Sequence, residues 1–190
     1  MARPKQFDEE RAVDAAMRAF WVAGYEGTST QDLCEATGLG RSSIYNTFSS
    51  KKDLFERALR RYMADKNAGT FAVLDGSGPA KEKVRALLWQ VIEAPEEDPL
   101  GCLVVNATVE MGPRDEEVAR LLRVDQERRL SALTAAISAG QRDGDIDKRR
   151  DAGELAHFVI ATIGGMRVAA RGGASKETLE AIANTALSCL

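Results

Sequence analysis

The stretch from Thr28 to Phe55, TSTQDLCEATGLGRSSIYNTFSSKKDLF, constrains the fold more than any other part of the chain. Ser29 is a strong N-cap residue. Asp32, three positions later, can reach back to it, so the pair predicts a capping box at the start of a short helix. Leu33 and Ala36 place small, apolar side chains on one face of that helix. Gly38 can take a positive φ at little cost and turn the chain. A second helix is expected from about Arg41, with Ile44 and Phe48 inward and Tyr45 beside them. Arg41, Ser42, Ser43, Asn46 and Thr47 then point outward. A short helix whose open face carries hydroxyls, an amide and an arginine suits a DNA major groove better than bare solvent.

This segment resembles the DNA-binding head of TetR/AcrR-type transcriptional regulators. The resemblance covers roughly residues 7–60. It runs through Gly24-Tyr25, Thr28-Ser29, Asp32-Leu33, Thr37-Gly38-Leu39, the stretch from Arg41 to Phe48, and Lys51-Lys52-Asp53-Leu54-Phe55. Three positions depart from the family pattern. Cys34 stands where alanine is usual, Gly40 where serine is frequent, and Thr47 where an aromatic residue or histidine is common. The first change lies inside the head; the other two leave the contacted bases open.

The resemblance implies a sequence-specific regulator, a repressor released from its operator by a small-molecule inducer or by thiol modification. Its DNA contacts would be Thr28, Ser29, Arg41, Ser42, Ser43, Tyr45, Asn46, Thr47 and Lys51. Its partner would be double-stranded DNA with a palindromic operator, bound by a homodimer formed through the last two helices. The implied domains are a helix-turn-helix head over residues 1–50 and a ligand-binding and dimerisation body over residues 51–190.

Composition agrees with a globular protein: 44% of the residues are hydrophobic and 29% charged. The net charge of −3 looks unsuited to DNA until it is divided. Residues 1–66 hold 11 Lys and Arg against 10 Asp and Glu, a balance of +1; residues 67–190 hold 15 against 19, or −4. A general affinity for nucleic acid is not implied, so binding needs a local cluster such as Arg41, Lys51 and Lys52. The first residues include Arg3, Lys5, Asp8 and Glu9 and no apolar run, so no signal peptide is expected. No apolar run is long enough to span a membrane. Three widely spaced cysteines, Cys34, Cys102 and Cys189, argue against both a disulfide framework and a zinc site. A reducing cytoplasm is the expected compartment, and nothing calls for a cofactor.

Periodicity predicts an all-α chain of about nine helices. The first is expected over about 8–22, ended by Gly24. A long helix is expected from Lys51 to about Phe71, broken by Gly76-Ser77-Gly78-Pro79. Further helices are expected over about 80–93 and 101–111, separated by an acidic loop over 94–99. Asp115 should cap a long helix stopped by Gly144, and Asp151 and Ser175 should cap the last two. The helix after Asp151 carries Ala156, Ala161, Gly164, Gly165, Ala169 and Ala170, small residues on both faces that permit close helix approach.

If the family's ligand-binding body carries over, Trp89, Cys102, Asn106, Glu110, Met111, Leu122, Gln126 and Phe158 are the candidate pocket residues, with Asn106 and Gln126 supplying polarity to a mostly apolar wall. The expected first-turn position of Cys102 would favour its thiolate and make it a candidate sensor of oxidants or electrophiles. His157 is the only histidine and has no ligand spacing around it. Two rival readings stay open: a small helical enzyme using the body pocket, marked by turnover of a bound compound, and an inducer-free architectural DNA-binding protein, marked by sequence-independent binding with a steep salt slope.

Overall fold

A computed structural model describes residues 3–94 and 101–190, with residues 3–8 described by their backbone alone. The described residues form nine helices and no strand: α1 (Arg3–Gly27), α2 (Thr30–Thr37), α3 (Arg41–Thr47), α4 (Lys51–Asp75), α5 (Ala80–Ile92), α6 (Leu103–Glu110), α7 (Glu116–Asp143), α8 (Ala152–Arg171) and α9 (Lys176–Ser188). Most of the expected acidic loop, from residue 95 onward, lies outside the described residues.

Local chemistry sets most of these boundaries. The Ser29 side chain accepts from the Asp32 N–H while the Ser29 N–H donates to the Asp32 carboxylate, completing the capping box of α2. Gly38 at φ 69 closes that helix in the left-handed region. Ser50 Oγ accepts from Asp53 N, Asp115 from Val118 N, Asp151 from Gly153 N and Glu154 N, and Ser175 from Thr178 N, so α4, α7, α8 and α9 each start on a short polar side chain.

Gly24 ends the first run of α1, as expected: it adopts φ 78, ψ 179, and a separate short helical segment follows it to Gly27. One boundary departs from expectation. Cys102 precedes α6 instead of lying in its first turn, because the helix begins at Leu103.

Packing gathers the chain into two compact units. The first comprises residues 1–65 with 103–122; the second comprises 66–102 with 123–190. In that unit α1 packs on α2 and on α6, and α2 packs on α3. Its core includes Phe20, Leu33, Ile44, Phe48, Leu54, Phe55, Leu59 and Tyr62. Phe20 meets Phe55 edge-on at 5.1 Å, and Trp21 meets Tyr62 likewise at 4.9 Å, the geometry aromatic quadrupoles favour.

The second unit is built on α5, α8 and α9, with Val84, Leu88, Val159, Met166, Ala183 and Leu187 in its core. Leu74 near the end of α4 and Leu133 and Ile137 of α7 join them. A Cβ at Gly140 would lie 2.5 Å from the Ala80 Cβ, so only glycine lets these backbones approach this closely. Asp145 accepts from Lys81 N at 2.7 Å and so caps the start of α5 from across the chain.

Candidate nucleic-acid interface

The helix-turn-helix places two short helices so that one is held and the other is presented. Leu33 of α2 and Ile44 of α3 are each 1% exposed, and Phe48 just after α3 is fully buried. These anchors fix the rotation of α3. Arg41, Ser42, Ser43, Tyr45 and Asn46 consequently stand on its open face, with Thr47 half-buried at its end. Ala36, expected to share the inner face with Leu33, is exposed.

Three contacts pre-organise the open face. The Tyr45 hydroxyl lies 3.1 Å from the Thr30 hydroxyl, tying α3 to α2. The Arg41 guanidinium lies over the Tyr45 ring, 5.9 Å from its centroid. The Lys51 ammonium stands 4.5 Å from the centroid of Tyr25. Cations held over aromatic faces keep their charge outward with less rotamer freedom to lose on binding.

Ser29 is exposed, and its oxygen already accepts the Asp32 N–H. The backbone and hydroxyl donors of Ser29 hold the Asp32 carboxyl below the ordinary aspartate range. Thr28 is placed differently from expectation. It is 1% exposed and its hydroxyl donates to Gly24 O at 2.6 Å, so its side chain supports the backbone from within.

Around this face basic residues of α4 are held by acids of α1, of α4 itself and of the start of α7. Arg57 pairs with Glu9 and with Asp53, and Arg61 lies 3.0 Å from Asp14. Lys52 meets Asp115 at 2.6 Å, and Arg60 approaches Glu117 at 3.9 Å. Surface pairs of this kind add little stability individually; together they orient α4 on its neighbours. Their charge is committed inside the molecule, which leaves Arg41 and Lys51 to serve an external anion.

Asp115 has a measurable signature. Its hydrogen bond with Lys52, followed by that with the Val118 N–H, holds its carboxyl below the ordinary aspartate range. A carboxyl lowered on folding contributes stability fully above its unfolded pKa of about 3.9 and loses it as pH falls through the lower folded value. Asp115→Asn is therefore expected to lower the urea midpoint near neutrality, with the gap from the parent closing below about pH 4. A gap that stays constant into acid would remove Asp115 from the acid response.

The candidate ligand-contacting residues scatter in environment. In the first unit Met111 and Leu122 are buried. Asn106 Nδ2 donates to Trp21 O at 3.5 Å, and both Glu110 oxygens accept backbone N–H groups of α1, from Tyr25 at 2.8 Å and Glu26 at 2.7 Å. In the second unit Cys102 is buried, Trp89 lies under the Arg85 guanidinium at 5.3 Å, Gln126 is exposed, and Phe158 is 41% exposed. Among the described residues no group of histidine, cysteine and acidic side chains could hold a metal ion, and no helix is long and apolar enough to cross a membrane.

Comparison with known proteins decides what this arrangement is. Residues 12–58 match the family model described as bacterial regulatory proteins, tetR family, and residues 80–186 match that of the tetracyclin repressor-like C-terminal domain. The chain belongs to the TetR family of transcriptional regulators. The HTH-type transcriptional repressor ComR of Escherichia coli (strain K12) is 35% identical over 188 residues, covering 97% of this chain and 90% of ComR. The HTH-type transcriptional regulator YezE of Bacillus subtilis (strain 168) is 34% identical over 157 residues, 82% and 76% of the two chains. Among solved structures, a cysteine mutant of the TetR-family regulator CifR, complexed with 26-bp double-strand operator DNA, superposes with a TM-score of 0.84 at 34% identity, covering 94% of each chain. A TetR-family chain of this kind is a DNA-binding regulator and not an enzyme.

One feature of this TetR-family regulator escaped the sequence reading. Asp125, 7% exposed, accepts from Asn67 Nδ2 at 2.6 Å and from Arg129 Nε at 3.0 Å, a polar network between the later part of α4 and α7. The spacing 118, 122, 125, 129, 133 follows the inner stripe of α7 and could have found it; Gln126, one position on, is exposed.

Proposed function

We propose that this TetR-family regulator is a cytoplasmic repressor that reads a palindromic operator as a homodimer and is released by a small-molecule inducer or by thiol modification. Arg41, Ser42, Ser43, Asn46 and Thr47 meet base edges and adjoining phosphates; Ser29, Tyr45 and Lys51 contact phosphate, which fixes register without reading sequence. Thr28 acts from within, its hydroxyl being committed to Gly24. The observation that carries this reading is the presented face of α3: polar, exposed and anchored from behind by Ile44 and Phe48. The names of ComR and CifR support it by likeness.

One short helix reads few base pairs, so two copies spaced by a helical turn of DNA, about 34–36 Å, suit the task. The outward face of α8, where Phe158 and Val168 are 41% and 56% exposed beside exposed Ala161 and Gly165, supports pairing through α8 with its neighbour α9. Taken unit by unit, the candidate inducer contacts are Asn106, Met111 and Leu122 in the first and Trp89 and Cys102 in the second, while Phe158 stands on the exposed face of α8. The network that holds Glu110 and the exposure of Gln126 argue for other roles for those two. A coupling of about 1–3 kcal/mol between inducer and DNA would lower operator affinity about 5- to 150-fold.

A mobility shift with the DNA upstream of this protein's own gene, against excess random DNA at physiological salt, tests the reading. A discrete complex is expected to survive, and Arg41→Ala is expected to weaken it by about 1–3 kcal/mol with random DNA little affected. Equal losses on both DNAs would make Arg41 a phosphate contact. Release by mild oxidant that disappears in Cys102→Ser would assign release to that thiol; release unchanged in the variant would remove it.

A further inference from the structure

Glu110, at the end of α6, uses its side chain entirely on another helix. Gly24 leaves helical geometry, so the segment from Tyr25 to Gly27 starts afresh and its first N–H groups need acceptors from outside. Glu110 supplies both: Oε2 accepts from Tyr25 N at 2.8 Å and Oε1 from Glu26 N at 2.7 Å. This is a helix cap delivered from 85 residues away. The fit is close enough that a Cβ at Gly24 would lie 2.8 Å from Glu110 Oε2. The neighbouring turn of α6 adds Asn106, which donates to Trp21 O on the other side of the kink.

The segment so held carries a binding group. The Tyr25 ring lies 5.0 Å from Phe55, edge-on, and 6.2 Å from Phe20, stacked, and the Lys51 ammonium stands 4.5 Å above it. The order of contacts is therefore Glu110 carboxylate, Tyr25 backbone, Tyr25 ring, Lys51 ammonium. We infer that Glu110 is a positioning residue for DNA binding, which fixes Tyr25 as the platform that aims Lys51 at a phosphate. The inference rests on Lys51 being a phosphate contact, and it makes the DNA-facing surface depend on where α6 sits.

The test is a double-mutant cycle on the full chain, with operator DNA titrated at several salt concentrations. Glu110→Gln keeps the side chain's shape but replaces one acceptor oxygen by an NH2 that faces a backbone donor. Alone, it is expected to weaken operator binding about three- to tenfold; in the Lys51→Ala background its effect is expected to fall below about twofold, as coupled residues require. It should also flatten the salt dependence toward that of Lys51→Ala, whose slope is lower by about 0.9, one phosphate contact. Wild-type binding by Glu110→Gln, or a loss of equal size in both backgrounds, overturns the inference while leaving Lys51 a contact. If Lys51→Ala itself binds like wild type, the phosphate reading fails and the inference with it. Should Glu110→Gln lose its helical circular dichroism, Tyr25→Leu replaces it in the cycle. That variant keeps the capped N–H groups but removes the ring, and the same Lys51-dependent loss is expected; additive losses overturn the inference.

Discussion

Under the pairing proposed through α8, Gly165→Arg is expected to convert the dimer to a monomer without harming the protomer. Gly165 is exposed on α8, has helical geometry, and a Cβ there would meet nothing within 4 Å. A helix-interior glycine costs about 0.8–1 kcal/mol relative to alanine, and arginine lies near alanine on that scale, so the isolated helix should gain. At a helix–helix interface the same change puts a long charged side chain where a small residue permits close approach, and a buried charge without a partner is strongly unfavourable. The two consequences have opposite signs, which separates loss of pairing from loss of folding. Without its partner, each head binds one half-site alone. The gain from linking two binding modules is on the order of 10²- to 10⁴-fold, so operator affinity should drop by about that factor. Light scattering at micromolar protein and the operator titration check both parts. A variant that stays dimeric and binds as before would move the interface off this face of α8.

Some of this architecture was legible in the sequence because it is local. Ser29 and Asp32, Asp151 with Glu154, and Ser175 sit within one helical turn of the groups they cap, so residue type and spacing specify the interaction. The inner face of α3 was legible for the same reason, with Ile44 and Phe48 buried. What failed depends on distant partners. A glycine after an amphipathic run ordinarily marks a helix end, and Gly24 does so; the short helical segment beyond it, whose first N–H groups donate to Glu110 of another helix, has no signal in the sequence around it. Thr28 is a candidate DNA contact by resemblance, yet its buried hydroxyl donates to Gly24 O. Charged residues are expected outside, whereas Asp125 is buried and accepts from Asn67 and Arg129. In each case the missing fact was a tertiary partner, which periodicity on one element does not encode.

Phe20→Ala is expected to cost about 3–5 kcal/mol, the range for deleting a buried phenyl ring. Phe20 is fully buried, packs edge-on against Phe55 and stacks on Tyr25, so the cavity would open between α1 and the start of α4. Aromatic neighbours in fixed rotamers collapse poorly around such a void, which favours the upper part of the range. For a chain of this size each kcal/mol shifts the melting temperature by about 2–4 °C, so a fall of roughly 6–20 °C is expected if unfolding is cooperative. The chain's two tryptophans allow the damage to be located, because Trp21 lies in the first packing unit and Trp89 in the second. In a Trp89→Phe background, fluorescence reports Trp21 alone, and its urea midpoint should fall with Phe20→Ala. Tyr25, which loses its stacking partner, also bears the Lys51 ammonium. Operator binding should therefore weaken at temperatures where circular dichroism still shows a folded chain. A loss of less than about 1 kcal/mol at Trp21, typical of a surface site, would mean that Phe20 is not the keystone of this core. Unchanged operator binding in the folded variant would uncouple the packing of Tyr25 from DNA recognition.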